Sequence, residues 1–402
     1  MPVERATAIC TFYMCMGVSN FCRMVNDFIN ERGEGEFENS YLVYLQAVEE
    51  GVVASLNFSE DEFEYVLDRL VEEGKEEQVL ELSSLAFEKF PYSSSILARF
   101  CDTLILMGNP DKALEILAAY ADSFSAESSI QLLFARANIA KGRFVHARDY
   151  FYRALQLSEG AADMADQVCA LAQDCIDTGN YTEALYYLRK AELLAPIPFE
   201  YQNDYAFCYD RLDEPQKAID CYNKYLDSNP FNDTVWFNLG TVLARVREFD
   251  KAIEAFEYSI ALNAGNSSSL YNLAVVYMNP QRFADGARIF EQFVEIDSDV
   301  LGRMGLSEAY MRLERFDDAL AQLNLVLDAG KDKIGENYDV ALCGIEAVNA
   351  IQCCRRGDYE LFKELFLKLF NNSSTWLTVV YDMLPFLNGE DWFLEFLQNI
   401  KK

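Results

Sequence analysis

One feature narrows the possible folds more than any other: the chain repeats itself every 34 residues. Arg247-Glu248-Phe249-Asp250-Lys251-Ala252-Ile253-Glu254-Ala255-Phe256 echoes Arg312-Leu313-Glu314-Arg315-Phe316-Asp317-Asp318-Ala319-Leu320, and both echo Gly179-Asn180-Tyr181-Thr182-Glu183-Ala184-Leu185. The small residue after the aromatic falls at Val79, Ala113, Ala147, Ala184, Ala218, Ala252, Gly286 and Ala319, separated by 34, 34, 37, 34, 34, 34 and 33 residues. A fixed period of this length marks stacked supersecondary units, each burying its apolar face against the next.

Each unit reads as two amphipathic helices. In the sixth, Trp236, Leu239, Gly240 and Leu243 share one helix face, Arg247-Glu248 makes the turn, and Phe249, Ala252, Ile253, Phe256, Ser259 and Ile260 share a second face. Gly240 and Ala252 are small where the two helices must approach. The fifth unit has Gln202, Tyr205, Ala206 and Tyr209, then Ala218, Tyr222 and Tyr225. The seventh has Leu270, Leu273, Ala274 and Tyr277, then Phe283, Gly286 and Phe290. Prolines at 91, 196 and 230 close second helices.

The pattern Trp/Leu–x2–Leu–Gly/Ala–x2–Tyr, followed by Ala, an aromatic and a closing Pro, resembles the tetratricopeptide repeat family over residues 60–333. The resemblance implies an all-α, right-handed α-solenoid superhelix of helix–turn–helix repeats. Eight repeats start near 60, 94, 128, 165, 199, 233, 267 and 300, after an acidic helical capping region, 1–59. Residues 334–374 read as a divergent ninth repeat. The apolar stretch 375–402, with Trp376, Leu377, Val380, Leu384, Trp392, Phe393, Phe396 and Leu397, reads as capping helices or as a partner-binding helix. The acidic lead-in and long array also resemble cytoplasmic repeat proteins of Bacteroidetes.

Charge limits the partners. The chain has 402 residues, with 34 Lys+Arg against 65 Asp+Glu and a net charge of −31. That opposes phosphate backbones and anionic lipid, so neither nucleic acid nor membrane is expected. The acidic excess is densest over residues 31–89, where Ser59-Glu60-Asp61-Glu62 reads as a helix N-cap. This acidic face is either solvated or the receiver of a basic segment.

Chemistry is hard to find. His146 is the only histidine, which rules out multi-histidine metal sites. There is no phosphate-cradling glycine loop and no Gly–x–Ser–x–Gly. Cys353 and Cys354 are adjacent, the wrong spacing for a redox pair. Cys101, Cys169, Cys175, Cys208 and Cys353 read as core thiols of a reducing, cytoplasmic setting. No catalytic residue, metal or cofactor is expected. Residues 6–22 are apolar and cysteine-rich. They admit three readings: a helix docked on the array, a signal peptide leading to export, or a segment upstream of a true start at Met24.

The resemblance places groove-facing side chains at positions 2, 5, 6, 9, 12 and 13 of each repeat. The candidate peptide groove therefore takes Asn203, Asp204, Phe207 and Arg211 from unit five, and Phe237, Asn238, Thr241 and Arg245 from unit six. Unit seven gives Tyr271, Asn272 and Asn279, and unit eight gives Met304, Glu308 and Arg312. Asp204, Asn238 and Asn272 recur at position 6, as a ladder that either meets a peptide backbone or bridges helices. Arg211, Arg245 and Arg312 recur at position 13, to face a carboxylate or to pair within the chain. Units five to eight lack the lysines at positions 2 and 5 with which the family's chaperone-tail binders clamp carboxylates. These features point to a non-enzymatic scaffold for a protein or peptide segment. A secretion-type chaperone shielding an apolar client and a self-assembling module, hence a homo-oligomer, are the competing readings.

Overall fold

The computed structural model describes residues 37–400 apart from 159, 197, 198, 280 and 298. The segment 6–22, with its three readings, lies outside the described residues. Those described form twenty-two α-helices, two short 3-10 turns and no strand. The described residues divide into two compact units, one ending at residue 196 and the other starting at residue 199.

Unit one opens with α1 (Glu38–Glu50) and the 3-10 turn Val53–Ser55. Four helical hairpins follow: α2 (Glu60–Glu72) with α3 (Glu76–Lys89), α4 (Ser94–Leu106) with α5 (Pro110–Ala119), α6 (Ser128–Ala140) with α7 (Phe144–Leu157), and α8 (Ala161–Asp177) with α9 (Tyr181–Leu194).

Unit two has four more: α10 (Tyr201–Arg211) with α11 (Pro215–Ser228), α12 (Asp233–Arg245) with α13 (Phe249–Leu262), α14 (Ser267–Met278) with α15 (Phe283–Ile296), and α16 (Val300–Arg312) with α17 (Phe316–Asp328). The one-turn α18 (Lys331–Ile334) leads to a longer hairpin, α19 (Glu336–Arg356) with α20 (Tyr359–Asn372). The unit ends with α21 (Ser374–Met383), the 3-10 turn Pro385–Gly389 and α22 (Asp391–Ile400). Within each unit the two helices of a hairpin pack together, and the second packs on the first helix of the next hairpin, except that α8 packs on α6 more than on α7.

Local sequence sets these boundaries. Ser59 and Glu62 form a capping box: the Ser59 hydroxyl accepts from the Glu62 N–H, and the Glu62 carboxylate accepts from the Ser59 N–H at 2.8 Å. Asn232 and Asn266 cap α12 and α14 by accepting from Val235 N–H at 3.1 Å and Ser269 N–H at 3.0 Å. Pro110 and Pro215 begin second helices, where a missing N–H costs nothing. In the sixth hairpin Leu239, Gly240, Leu243, Ala252, Ile253, Phe256 and Ser259 are buried. A Cβ on Gly240 would stand 2.8 Å from the Phe256 ring, so only glycine lets the helices meet. Trp236 is half-buried at the edge, stacked 4.7 Å from Tyr258 and donating from Nε1 to the Pro230 carbonyl at 2.8 Å.

The turn inside each hairpin has one left-handed residue. In unit one it is glycine, as at Gly142 (φ 66°); in unit two Asp213, Arg247, Gln281 and Glu314 take the same place, Arg247 at φ 65°. The geometry closes the first helix: Glu248 N–H donates to the Leu243 carbonyl at 2.9 Å, as Arg143 N–H does to Asn138 at 2.8 Å. A side chain costs roughly 1–2 kcal/mol in this backbone region. Glycine gives back part of that relief in unfolded-state entropy. Arg247→Gly is therefore expected to raise stability by about 0.5–1 kcal/mol, read as a higher urea midpoint with unchanged slope. Gly142→Ala, which meets nothing within 4 Å, should cost about 1 kcal/mol through backbone conformation alone. An unchanged midpoint in both would show that the turn backbone relaxes.

The cysteines mostly sit in the core. Cys101, Cys169, Cys175 and Cys208 are buried, and burial pushes the thiols of Cys101 and Cys208 up to about 12. A thiol raised in this way carries little thiolate at neutral pH, so Cys101 and Cys208 read as packing residues. In the adjacent pair, however, Cys354 is the buried member and Cys353 is only half-buried, because α19 turns Cys354 into the helix contact. His146 is exposed on α7.

Candidate interaction surface

The sequence-derived groove residues lie on the first helices of unit two. Among the candidate residues, each of α10, α12, α14 and α16 has a half-buried apolar side chain: Phe207, Phe237, Tyr271 and Met304. Phe237 packs 6.0 Å from Phe256; Tyr271 lies 6.0 Å from Phe290 and 5.6 Å from Phe293, and its burial raises the phenol. The rings of Phe237 and Tyr271 are thus held by the second helices of their own hairpins.

The position-6 residues differ in state. Asn272 donates to its own helix, to the Ser268 carbonyl at 2.9 Å, leaving its side-chain oxygen as an acceptor. Asn238 is half-buried, and no side-chain hydrogen bond joins it to Asn272. Asp204 is half-buried close to Cys208. Beside it, the Asn203 side-chain oxygen is buried without a hydrogen-bond partner. In α16 the position is Gly305, where a Cβ would stand 2.5 Å from the Phe290 ring. No side chain can extend the row there. Thr241 donates to the Phe237 carbonyl at 3.0 Å and Asn279 to the Val275 carbonyl at 3.3 Å, both within their own helices.

The arginines at position 13 have partners in the chain. Arg245 pairs with Asp210 and, at 3.5 Å, with Asp213. Arg312 pairs with Asp382 of α21 at 2.9 Å and Glu308 at 3.4 Å. The exposed Arg211 lies over the Phe207 ring at 5.0 Å. The position-13 charge in this unit is therefore largely committed.

Unit one holds a group that sequence reasoning missed. Arg136 of α6 sits between two carboxylates, Asp102 of α4 and Asp174 of α8, the latter at 2.7 and 3.0 Å. Next to it Arg99 pairs with Asp68 of α2. The signal was present: Asp68, Asp102 and Arg136 follow each other at intervals of 34 residues. Because the charge changes sign along the row, it reads as an ordinary solvated face. Among the described residues no group of three or more metal-ligating side chains occurs, and no helix is long and apolar enough to cross a membrane.

Stacked hairpins on a 34-residue period define a helical-repeat architecture, and comparison with known proteins agrees. The tetratricopeptide repeat model matches residues 103–162, 209–269, 237–300 and 271–333. The chain carries tetratricopeptide repeats over residues 103–162 and 209–333. Similar solved structures include MamA (residue 41 to the end) from Desulfovibrio magneticus RS-1, at 19% identity, 41% of this chain, 93% of that one and a TM-score of 0.39. Pseudomonas aeruginosa pilF matches at 19% identity, 54% and 96% coverage and a TM-score of 0.40. A tetratricopeptide repeat protein from Parabacteroides merdae matches at 16% identity, 63% and 98% coverage and a TM-score of 0.41. No curated protein matches the chain.

Proposed function

We propose that the chain is a non-enzymatic scaffold that binds an extended protein or peptide segment along the first helices of unit two. The observation that supports this most is the row of half-buried Phe207, Phe237, Tyr271 and Met304, one per hairpin, beside the position-6 amides. Neighbouring helices lie about 8–10 Å apart, and an extended chain rises about 3.3 Å per residue. Successive hairpins thus meet every third residue of such a segment. The apolar edges supply area, and the side-chain oxygens of Asn238 and Asn272 accept from backbone N–H groups.

Asn238→Ala combined with Asn272→Ala tests this reading. Both residues are half-buried, and the Asn272 bond stays within its own helix. The double variant should keep its helicity and lose no more than about 1 kcal/mol of stability. A protein that co-purifies with the tagged chain from its own cells should be lost or strongly depleted. Loss of fold would make the row architectural. An identical partner list in both samples would take the site away from this face.

A further inference from the structure

We infer that the first helices of unit one carry a second, separate binding surface, one that takes a peptide with an apolar side chain flanked by basic ones. A groove of about 390 Å³ lies over α4, α6 and α8. That is the lower part of the range, roughly 300–1,000 Å³, in which ligand sites fall. Its floor is apolar. Ala98 and Ala170 leave the space open between neighbouring helices, and Leu132 and Leu133 close the bottom at 5% and 7% exposure. Larger residues in place of the two alanines would fill it.

The charge around this floor is unbalanced. Asp102 and Asp174 share Arg136, and Asp68 takes Arg99. Three carboxylates thus meet two guanidiniums. Glu60 and Glu64 of α2 add to the excess, because their side chains accept from the hydroxyls of Ser93 and Ser95 and not from a cation. Ser95 itself lines the groove. An anionic ligand would find both arginines already paired. A cationic side chain finds surplus carboxylate beside an apolar floor, where a pair is screened less than on open surface. An apolar side chain fills the floor and lysines or arginines on either side meet the rim.

Fluorescence anisotropy on the full chain tests this. The probe is a fluorescein-labelled peptide with one leucine between two lysines; its control has glutamates in place of the lysines. The lysine peptide should bind and the glutamate peptide should not. Gln167→Lys adds a positive charge at the rim and Ala170→Trp fills the floor; both positions are exposed, so helicity should persist. Each should weaken the lysine peptide at least about tenfold. Asn238→Ala with Asn272→Ala should leave this binding unchanged, which separates it from the surface on unit two. Three results would overturn the inference: no binding up to about 1 mM, equal binding of the two peptides, or a dissociation constant unmoved by both groove variants.

Discussion

Phe366→Ala is expected to cost about 3–5 kcal/mol and to free the last helices of the chain. The ring is fully buried in α20 and meets two other helices, α21 and α22. It lies 5.5 Å from Phe362 in its own helix, 5.3 Å from Tyr381 of α21, and 5.4 and 5.9 Å from Phe393 and Phe396 of α22. Most of these contacts are edge-on, the geometry favoured by the ring quadrupole. The cost exceeds a simple cavity because α21 and α22 have only 10 residues each. Helices shorter than about 12–15 residues are marginal alone, so both depend on this cluster. The indole of Trp376 fixes the other side of α21, donating to the Val340 carbonyl at 2.9 Å and filling the space beside Gly344. The variant should show a lowered urea midpoint and early proteolytic cleavage after residue 372, with α10–α17 still protected. Such a pattern would favour the reading of residues 375–402 as capping helices over their reading as a partner-binding helix. A loss below about 1 kcal/mol would mean that neighbouring rings collapse into the gap. In that case the terminal helices would owe their docking to Trp376 instead.

The sequence revealed the hairpins because the same packing solution recurs with the same residue types. Leu239, Gly240, Ala252 and Phe256 stand at fixed intervals in a single helix pair, and that pair repeats. The turns were readable for the same reason, although the left-handed residue changes from Gly142 in one unit to Arg247 in the other. The period constrains backbone geometry more tightly than it constrains the turn residue. Legibility ended where contacts stop following the period. α19 runs 21 residues, from Glu336, because nothing forces a turn before Gly357, whose φ is 81°. The pairing of Arg312 with Asp382 joins residues 70 positions apart, a distance no repeat register predicts. The groove over α4, α6 and α8 depends on two alanines, Ala98 and Ala170, and an alanine in a helical sequence announces nothing by itself. A side chain's place on a face could be read; whether the space in front of it is filled could not.

Arg136→Ala should be the most pH-dependent variant of unit one. The side chain is only 20% exposed and serves Asp102 and Asp174, themselves 30% and 17% exposed. Removing it leaves two poorly hydrated carboxylates close together, at a cost of about 2–4 kcal/mol near neutral pH. The sign of the pH dependence follows from Asp102. Burial raises its carboxyl above the ordinary 3.8 even with Arg136 pulling it down. A carboxyl whose folded pKa lies above its unfolded value takes up a proton on folding. Its contribution to stability is present below the unfolded pKa and is lost as pH rises through the folded one. Without Arg136 the folded value moves higher still, so the loss deepens and extends to higher pH. Urea midpoints should therefore separate parent and variant widely at pH 7 and bring them closer toward pH 4. Asp102→Asn in the Arg136→Ala background should recover part of the loss at neutral pH and little in acid. Arg136→Lys should fall between, since a compact ammonium cannot span both carboxylates as the planar guanidinium does. A difference that stays constant with pH would assign the effect to packing of the arginine stem between α4 and α8, and charge would have no part in it.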